Sequence, residues 1–172
     1  MRIETDRLVI TKFSKDMAYN VHLNSLDEDT RRFLPDEVFE TEQEALETIE
    51  FLISQYGKQN SPLVYPILLK SGENIGYVQL VPLDEYWEVG YHIAKRYTKN
   101  GYATEAVKAF LKTMVKKLEI QYVMGIALVE NKGSIRVLEK CGFQMVHQGL
   151  GMYQGMKKEI CSYVYLCDKM DM

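Results

Sequence analysis

Three consecutive residues, Lys99, Asn100 and Gly101, precede a strongly periodic helix in the stretch KNGYATEAVKAFL at 99–111. The first four amide N–H groups of a helix have no partner within the helix, and the helix dipole adds partial positive charge there. Because Gly101 has no Cβ, a loop containing it could close its amides around a phosphate or pyrophosphate group. Arg96 and Lys99 could add charge-assisted contacts. An ordinary strand-to-helix turn explains the same residues about equally well.

A second polar pair, Asn131 and Ser134, stands at the start of a predicted short helix, directly after an apolar run of strand length. Side chains of both types accept hydrogen bonds from the first amides of a helix, so capping is the favoured interpretation of this pair alone. The same groups could instead hold a ligand at the helix N-terminus. To distinguish capping from ligand binding at these two sites, the secondary structure around them has to be considered.

The first half of the chain is predicted to contain one strand and two helices. Apolar and polar residues alternate over 7–13, which is typical of a strand. A short helix over 14–24 follows, with Ser14 as its cap. A longer helix over 41–58 begins with Thr41 and Glu44 at capping-box spacing and ends at a glycine.

The next elements surround the first polar loop. Three strand-like runs at 63–70, 74–82 and 86–94 have short connections and predict an antiparallel meander. The helix after the loop buries one stripe, formed by Ala103, Ala106, Val107, Phe110, Leu111, Met114 and Leu118. The run 120–129 is apolar without alternation, as expected of a central strand that is covered on both faces.

The last part of the chain is predicted as a short helix over 131–143 and two strands at 143–148 and 160–169, which flank a glycine-rich loop at 149–159. The element order is therefore β-α-α-β-β-β-α-β-α-β-β. This order predicts a mixed sheet with helices on its faces, of class α/β or α+β.

The composition indicates one globular domain over residues 1–172, with 47% hydrophobic and 26% charged residues. A net charge of −3 disfavours nucleic acid and membrane surfaces as partners. The three cysteines, Cys141, Cys161 and Cys167, lack metal-site spacing, and their odd number without a signal peptide predicts a reducing cytoplasm. We expect a cytoplasmic protein without a metal, acting as a monomer or homodimer.

Four stretches together resemble the GCN5-related N-acetyltransferases (GNAT), and among them the branch of the ribosomal-protein-alanine N-acetyltransferases (RimJ/RimL-like). These stretches are ETDRLVI at 4–10, EVGYHI at 88–93, GYATEAV at 101–107 and NKGSIRVLEKCGF at 131–143. They occur in the order and spacing of the family over nearly the whole chain. The resemblance implies transfer of an acetyl group from acetyl-coenzyme A, as co-substrate, to a primary amine by direct attack in a ternary complex.

The resemblance also implies the GNAT fold, a mixed and mostly antiparallel central sheet flanked by helices. In this fold the fourth and fifth strands splay apart, and the pantetheine arm enters the cleft between them. The fourth predicted strand, 86–94, ends with Tyr91, His92 and Ile93. Their backbone would pair with pantetheine and polarise the thioester carbonyl.

The pyrophosphate loop of the family has the form Gln/Arg-x-x-Gly-x-Gly/Ala. It corresponds to Thr98, Lys99, Asn100, Gly101, Tyr102 and Ala103, and the expected cradle consists of the amides of 99–104, which include that of Thr104. Thr98 replaces the usual long Gln or Arg, and Lys99 replaces a second common glycine. Coenzyme A affinity is therefore either weaker than in the family or restored by Arg96 and Lys99.

The catalytic roles implied by the resemblance fall on Ser134 and Asn131. The hydroxyl of Ser134 would donate a hydrogen bond to the leaving thiolate, and Asn131 would orient the pantetheine amides. Glu88 is the candidate for the base that deprotonates the ammonium of the acceptor, because it lies on the strand whose backbone binds the thioester. A solvent-facing strand glutamate is an equal alternative. His92 and Cys141 are interpreted as structural side chains.

Two loops are predicted to rim the acceptor side, 26–40 and 149–159. The second contains Met152, Tyr153 and Met156, an adaptable apolar wall that suits a peptide. Acidic residues of the first would suit a polyamine, namely Asp27, Glu28, Asp29, Asp36 and Glu37. A protein or peptide N-terminal α-amine is the first expectation, and a polyamine or other small amine is the second. A coenzyme A-binding module without catalysis is the third, since Thr98 departs from the family pattern.

Overall fold

The computed structural model describes residues 1–167, so Asp168 and Lys169 of the last predicted strand lie outside the described residues. The described strands form one sheet in the order β1-β2-β3-β4-β5-β6-β8-β7. They are β1 (Arg2–Glu4), β2 (Leu8–Thr11), β3 (Leu63–Leu69), β4 (Asn74–Pro82), β5 (Trp87–Ile93), β6 (Tyr122–Leu128), β7 (Gln144–Tyr153) and β8 (Met156–Leu166). The α-helices are α1 (Ala18–Asn24), α2 (Glu28–Phe33), α3 (Glu42–Gln55), α4 (Tyr102–Leu118) and α5 (Lys132–Lys140).

Helices cover both faces of this sheet. On one face, α4 and α5 contribute Phe110, Leu111 and Leu138 to the larger core cluster. On the other face, α1 and α3 pack around Phe13 and Val64. The neighbouring strands are antiparallel except for the parallel pair of β5 and β6. The predicted class, a mixed and mostly antiparallel sheet flanked by helices, is confirmed.

The predicted splay lies between β5 and β6, because the short N-terminal strand β1 adds one strand to the predicted order. The two strands pair only where Trp87–Val89 faces Val123–Gly125. Both strands continue beyond this point, to Ile93 and Leu128. Along residues 90–93, the β6-facing side of β5 therefore has no strand partner within residues 1–167, and a cleft opens in the sheet.

The start of the first predicted helix differs from the prediction. Residues Lys15–Met17 form a 3-10 turn, and Ser14 does not cap it, since its hydroxyl bonds to Asp16 instead. In α3, Thr41 accepts a hydrogen bond from the amide of Glu44 at 3.1 Å, as predicted. The carboxylate of Glu44 accepts from the amide of Glu40 rather than Thr41, so only half of the capping box forms.

The prediction of two acceptor loops is wrong in part, because segments 26–40 and 149–159 each contain regular secondary structure. Segment 26–40 contains α2, whose cap Asp27 accepts from the amide of Thr30 at 2.7 Å, and the 3-10 turn Pro35–Glu37. Segment 149–159 belongs to the β7–β8 hairpin, whose tight turn has positive φ at both Gln154 and Gly155. A Cβ at position 151 would lie 2.3 Å from Cδ1 of Ile160, so any other residue there would require the Ile160 side chain to shift.

Two further features concern membranes and metals. No helix within residues 1–167 has the length and apolar character that crossing a membrane requires. In the same part of the chain, His, Cys, Asp and Glu side chains form no cluster of three or more that could hold a metal ion. Cys141 and Cys161 are buried free thiols.

Candidate active site

The loop between β5 and α4 presents a row of backbone amides. A 3-10 turn, Lys95–Tyr97, is followed by two residues with positive φ, Lys99 (65°) and Gly101 (79°). Gly101 is the N-cap of α4 and has no side chain to bond the first amides. Within the described residues, the amides of 99–104 donate no hydrogen bond, whereas the next one, of Glu105, bonds to the carbonyl of Gly101. Six consecutive N–H groups are therefore available to an anion.

Arg7 braces this loop from the N-terminal segment. Its guanidinium donates to the carbonyl of Asn100 at 2.8 Å and to Glu105 at 2.7 Å, and it lies 4.6 Å from the centre of the Tyr102 ring. The hydroxyl of Thr5 donates to the same carboxylate, that of Glu105, at 2.6 Å. The loop and the first turn of α4 are thus held by one network of charge-assisted hydrogen bonds.

The polar side chains of the loop mainly close the loop itself. Thr98 donates to the carbonyl of Lys95 at 2.7 Å, and Asn100 donates to two loop carbonyls at 3.0 and 3.1 Å. The guanidinium of Arg96 lies over the Tyr97 ring and 3.8 Å from Glu73. In this arrangement, the binding capacity of the loop for an anion rests on its backbone amides.

Strand β5 sends its side chains to opposite faces of the sheet. Val89 and Tyr91 join the core beneath α4 and α5, so alternation directs Glu88, Gly90 and His92 to the face of α1. The phenol of Tyr91 reaches α5, where it donates to the carbonyl of Ser134 at 2.8 Å and lies 2.9 Å from Oγ of the same residue. Burial raises the pKa of Tyr91 well above its usual range, so the phenol stays protonated.

Asn131 has the capping role that its position in the sequence favours. Its Oδ1 accepts a hydrogen bond from the amide of Ser134 at 3.2 Å and caps α5. The assignment of Asn131 to pantetheine would therefore use the amide nitrogen of its side chain, and it stays a prediction. The same holds for the role of Ser134 at the sulfur, although this hydroxyl lies at the N-terminus of α5, near the cleft.

Glu88 is half-buried on β5, and burial raises the pKa of its carboxyl. It projects from the face opposite Ser134, at the end of the paired stretch of β5 and β6. A thioester in the cleft would thus have a carboxylate on one face of the sheet and a hydroxyl on the other. This arrangement suits deprotonation of an incoming amine on one side and stabilisation of a leaving thiolate on the other.

The His92 side chain supports the structure around the site. Thr30 donates its one hydroxyl proton to Asp27 at 2.8 Å, so at the 2.8 Å contact with His92 the ring nitrogen Nε2 is the donor. Burial lowers the pKa of His92 despite the nearby Asp27 and Asp29. A neutral imidazole held in this way agrees with the structural interpretation of this side chain.

Cys141 is unsuited to nucleophilic catalysis in this environment. Burial raises its pKa to about 11, and its thiol donates to the carbonyl of Thr104 at 3.7 Å. Nucleophilic cysteines need the thiolate form near neutral pH. The contact instead joins the end of α5 to the first turn of α4.

The sequence analysis placed Glu37 and Tyr153 on the acceptor side but missed Tyr77 and the contacts that hold these side chains. The phenol of Tyr77 on β4 donates to Glu37, and burial, followed by the charge of Asp36, raises the pKa of Glu37 to about 7. Tyr153, near the tip of the hairpin, donates to the carbonyl of Phe33 at 2.9 Å. Burial, and then the charges of Glu37 and Glu88, raise the pKa of Tyr153 to about 12, so both carboxyls lie in electrostatic range of this phenol.

Residues 7–144 of the chain match a family model described as an acetyltransferase (GNAT) domain. Among curated proteins, the uncharacterized N-acetyltransferase YnaD of Bacillus subtilis (strain 168) is 26% identical over 147 residues. This alignment covers 84% of the chain and 83% of YnaD. The family match thus includes the loop at 95–101, β5 and α5.

Two solved structures are similar over nearly the whole chain. The GNAT-family acetyltransferase from Bacillus anthracis superposes with a TM-score of 0.81 at 24% identity, covering 96% of this chain and 98% of that one. RimL, a ribosomal L7/L12 alpha-N-protein acetyltransferase in complex with coenzyme A, superposes with a TM-score of 0.82 at 15% identity, again covering 96% and 98%. At these identities the similarity concerns the fold.

Proposed function

Because the chain belongs to the acetyltransferase (GNAT) family, we propose that it transfers an acetyl group from acetyl-coenzyme A to the N-terminal α-amine of a protein or peptide. The reaction is a direct attack within a ternary complex, in one domain spanning residues 1–172. The observation that carries this proposal is the row of six unpartnered amides at 99–104, beside the cleft between β5 and β6.

In this proposal the amides of Lys99 to Thr104 bind the pyrophosphate of coenzyme A. Backbone N–H groups at a helix N-terminus supply both hydrogen bonds and partial positive charge to an anion. The pantetheine arm lies in the cleft along the β6-facing edge of Tyr91, His92 and Ile93, whose other edge pairs with β4, and Asn131 orients its amides. The thioester carbonyl accepts a hydrogen bond from this backbone, which stabilises developing negative charge.

The acceptor amine loses one proton before it attacks. Glu88 takes this proton from the ammonium, and the neutral nitrogen then forms its bond to the carbonyl carbon of the thioester. The carbon–sulfur bond breaks, the second proton of the amine passes to the leaving sulfur to give the free thiol, and Ser134 donates a hydrogen bond to this sulfur as negative charge develops on it. Orientation of the two reactants alone can lower the barrier by roughly 7–11 kcal/mol, and a positioned base contributes about 10²–10⁴-fold.

Contacts of the acidic residues support a peptide acceptor over a polyamine. A polyamine site needs several convergent carboxylates, but Asp27 accepts from the amide of Lys95 at 3.0 Å and Asp29 pairs with the ammonium of the same lysine at 3.3 Å. Glu37 and Glu88 remain near Tyr153, which leaves carboxyls for a single cationic amine. The similar fold of RimL, named for a protein α-amine acceptor, agrees with this choice.

An acceptor screen tests the proposed function. Thiol release from acetyl-coenzyme A is measured with short peptides, spermidine, amino sugars and free amino acids, and mass spectrometry locates the acetyl group. We expect acetylation of the peptide α-amine with little on lysine side chains. Efficient acetylation of spermidine without a peptide product would reverse the choice of acceptor. Binding of coenzyme A without thiol release for any amine would indicate a non-catalytic module.

A further inference from the structure

Glu37 is a partly buried carboxyl that the reaction outlined above does not use. It lies in the 3-10 turn Pro35–Glu37, and the phenol of Tyr77 donates to its Oε2. A carboxylate offers about four acceptor sites on two oxygens. One donor therefore leaves most of the hydrogen-bonding capacity of Glu37 open.

This carboxyl also lacks a positive partner from the protein. Within residues 1–167, no lysine, arginine or histidine forms an ion pair with Glu37 or with Glu88. The charge that acts on Glu37 from a neighbour is that of Asp36, and it is negative. Buried charges in proteins are normally paired, since an unpaired one loses its hydration without compensation.

Glu37 and Glu88 belong to two different elements, and a single phenol of the hairpin senses the charge of both. Glu88 comes from β5, Glu37 comes from the turn after α2, and both act electrostatically on Tyr153 of the hairpin. Tyr153 is itself fastened to the carbonyl of Phe33. Tyr77, which holds Glu37, and Glu88 project from the same face of the sheet, the face from which an amine would approach the proposed thioester position.

A small cavity lies on the inner side of Glu37, but its lining surface is mostly apolar, so it does little to solvate the ionised carboxylate. The cavity has a volume of about 40 Å³, and its lining includes Glu37, Tyr77, His92 and Asn24. Oδ1 of Asn24 is fully buried and has no hydrogen-bond donor among the described residues, because its Nδ2 makes the two contacts to Asn74.

We propose that Glu37, held by Tyr77, binds the cationic amine of the acceptor and delivers it to Glu88. This assignment rests on the proposed acetyltransferase function and adds the residue that selects a charged amine. The acceptor supplies the positive charge that residues 1–167 do not provide. Glu37 touches the substrate without taking its proton, so its removal affects acceptor binding more than the chemical step.

The first experiment compares wild-type protein with Glu37→Gln, which keeps the shape of the side chain and removes its charge. Steady-state rates are measured at saturating acetyl-coenzyme A with a tetrapeptide that carries a free α-amine. We expect the KM for the peptide to rise about tenfold or more, with kcat changed less than threefold. Tyr77→Phe should raise KM less, and Glu42→Gln, at an exposed position in the first turn of α3, should leave both constants unchanged.

A neutral competitor isolates the contact between carboxylate and ammonium. The same tetrapeptide without its α-amino group is tested as a competitive inhibitor. In wild-type protein, loss of the amine should weaken binding about tenfold or more, and in Glu37→Gln this difference should shrink to threefold or less. An equal penalty in both proteins would overturn the proposal.

The pH dependence gives a readout that a purely structural role would not change. The titratable groups around Glu37 are Asp36 beside it, Tyr77 on β4, Glu88 and His92 on β5, and Tyr153 on β7. Since the pKa of Glu37 is about 7, kcat/KM for the peptide should fall below that pH. Asp36→Asn should move this limb to lower pH, because the charge of Asp36 raises the pKa of Glu37.

The outcomes separate this proposal from the function on which it rests. Peptide acetylation with an unchanged KM in Glu37→Gln would overturn the role of Glu37 and leave the acetyltransferase intact. Loss of coenzyme A affinity in the same variant would also overturn it, since the effect would then be structural. Absence of acetylation with every amine would overturn both proposals, while coenzyme A binding would still be measurable.

Discussion

The phenol oxygen of Tyr91 lies 2.9 Å from Oγ of Ser134, although one residue belongs to β5 and the other to α5. The same phenol donates to the backbone carbonyl of Ser134 at 2.8 Å. A phenol has one proton, so while it bonds to this carbonyl the serine is the donor in the other contact. Tyr91 thereby holds Oγ of Ser134 in place, and the serine proton has to turn from Tyr91 to the sulfur when the thiolate forms.

We predict that Ser134→Ala slows turnover about tenfold and changes the affinity for coenzyme A less than twofold. The hydroxyl stabilises mainly the thiolate that develops in the transition state. Tyr91→Phe should give a smaller loss, and the double variant should be no slower than Ser134→Ala, because both residues act at one atom. Pre-steady-state kinetics and calorimetry measure the two quantities. Additive losses would show that the residues act independently.

Gly101→Val should weaken binding of coenzyme A about tenfold or more. Gly101 has a φ of 79°, which a β-branched residue strongly disfavours, so the amide row at 99–104 would be displaced. Gly72→Val is the matched control, since Gly72 has a φ of 92°, open space around it and a position in the β3–β4 turn. Unchanged calorimetric affinity in folded Gly101→Val would exclude this loop as the pyrophosphate site.

Replacement of Arg7 by lysine should reduce coenzyme A affinity several-fold without unfolding the protein. Lysine keeps the charge but loses the simultaneous contacts to Asn100 and Glu105 that hold the loop. Arg2→Lys provides the control, because Arg2 forms an exposed pair with Glu4. Equal affinities in the two variants would mean that the loop holds its shape without Arg7.

Glu88→Gln should lower kcat by about 100-fold and remove the acid limb of the kcat profile. Burial raises the pKa of Glu88, and a base must be ionised to act, so wild-type kcat should decline as pH falls through that pKa. Measurements at saturating acceptor separate this effect from binding. Glu85→Gln, at an exposed position in the β4–β5 connection, should change neither kcat nor its pH profile. An unaltered rate and profile in Glu88→Gln would assign the base to water or another group.

Glu37 should make the folded protein less stable as pH rises from about 4.5 to about 7. Its pKa rises from 4.5 to about 7 on folding, so the folded state binds more protons than the unfolded state across that window. The loss approaches about 3 kcal/mol at most. Denaturant unfolding at pH 5 and pH 8 should show a smaller difference for Glu37→Gln than for wild type. Equal differences in the two proteins would contradict the burial of an ionisable Glu37.

Local patterns in the sequence predicted much of the fold. The meander strands at 63–70, 74–82 and 86–94 agree with β3, β4 and β5 within one residue, because alternation and turn residues act over a few positions. The hairpin at 149–159 was missed, since three glycines and exposed Met152 and Met156 resemble a loop. The glycine at position 151 instead lets β7 approach Ile160.

The site was predictable only where a contiguous motif forms it. The loop before α4 and the start of α5 are such motifs, and the structure brings both to the cleft. Glu37 was predicted only as one of five acidic residues on the acceptor side, and its contact with Tyr77 gave no signal because the two residues are 40 positions apart in the sequence. The contact of Tyr91 with Ser134 spans 43 residues and depends on the packing of α5 against the sheet.

Only three residue pairs join β5 to β6, so this junction divides the sheet into two parts that are weakly connected to each other. One part consists of β1–β5, and the other consists of β6, β8 and β7. By comparison, the ladders β4–β5 and β6–β8 on either side of the junction have seven residue pairs each. Relative motion of the two parts of the sheet is therefore easiest at the β5–β6 junction. A ligand that forms hydrogen bonds in the cleft connects the two parts, so we expect its binding to reduce the motion of strands that it does not contact. We therefore expect the backbone amides of β8 to exchange more slowly when a ligand is bound in the cleft.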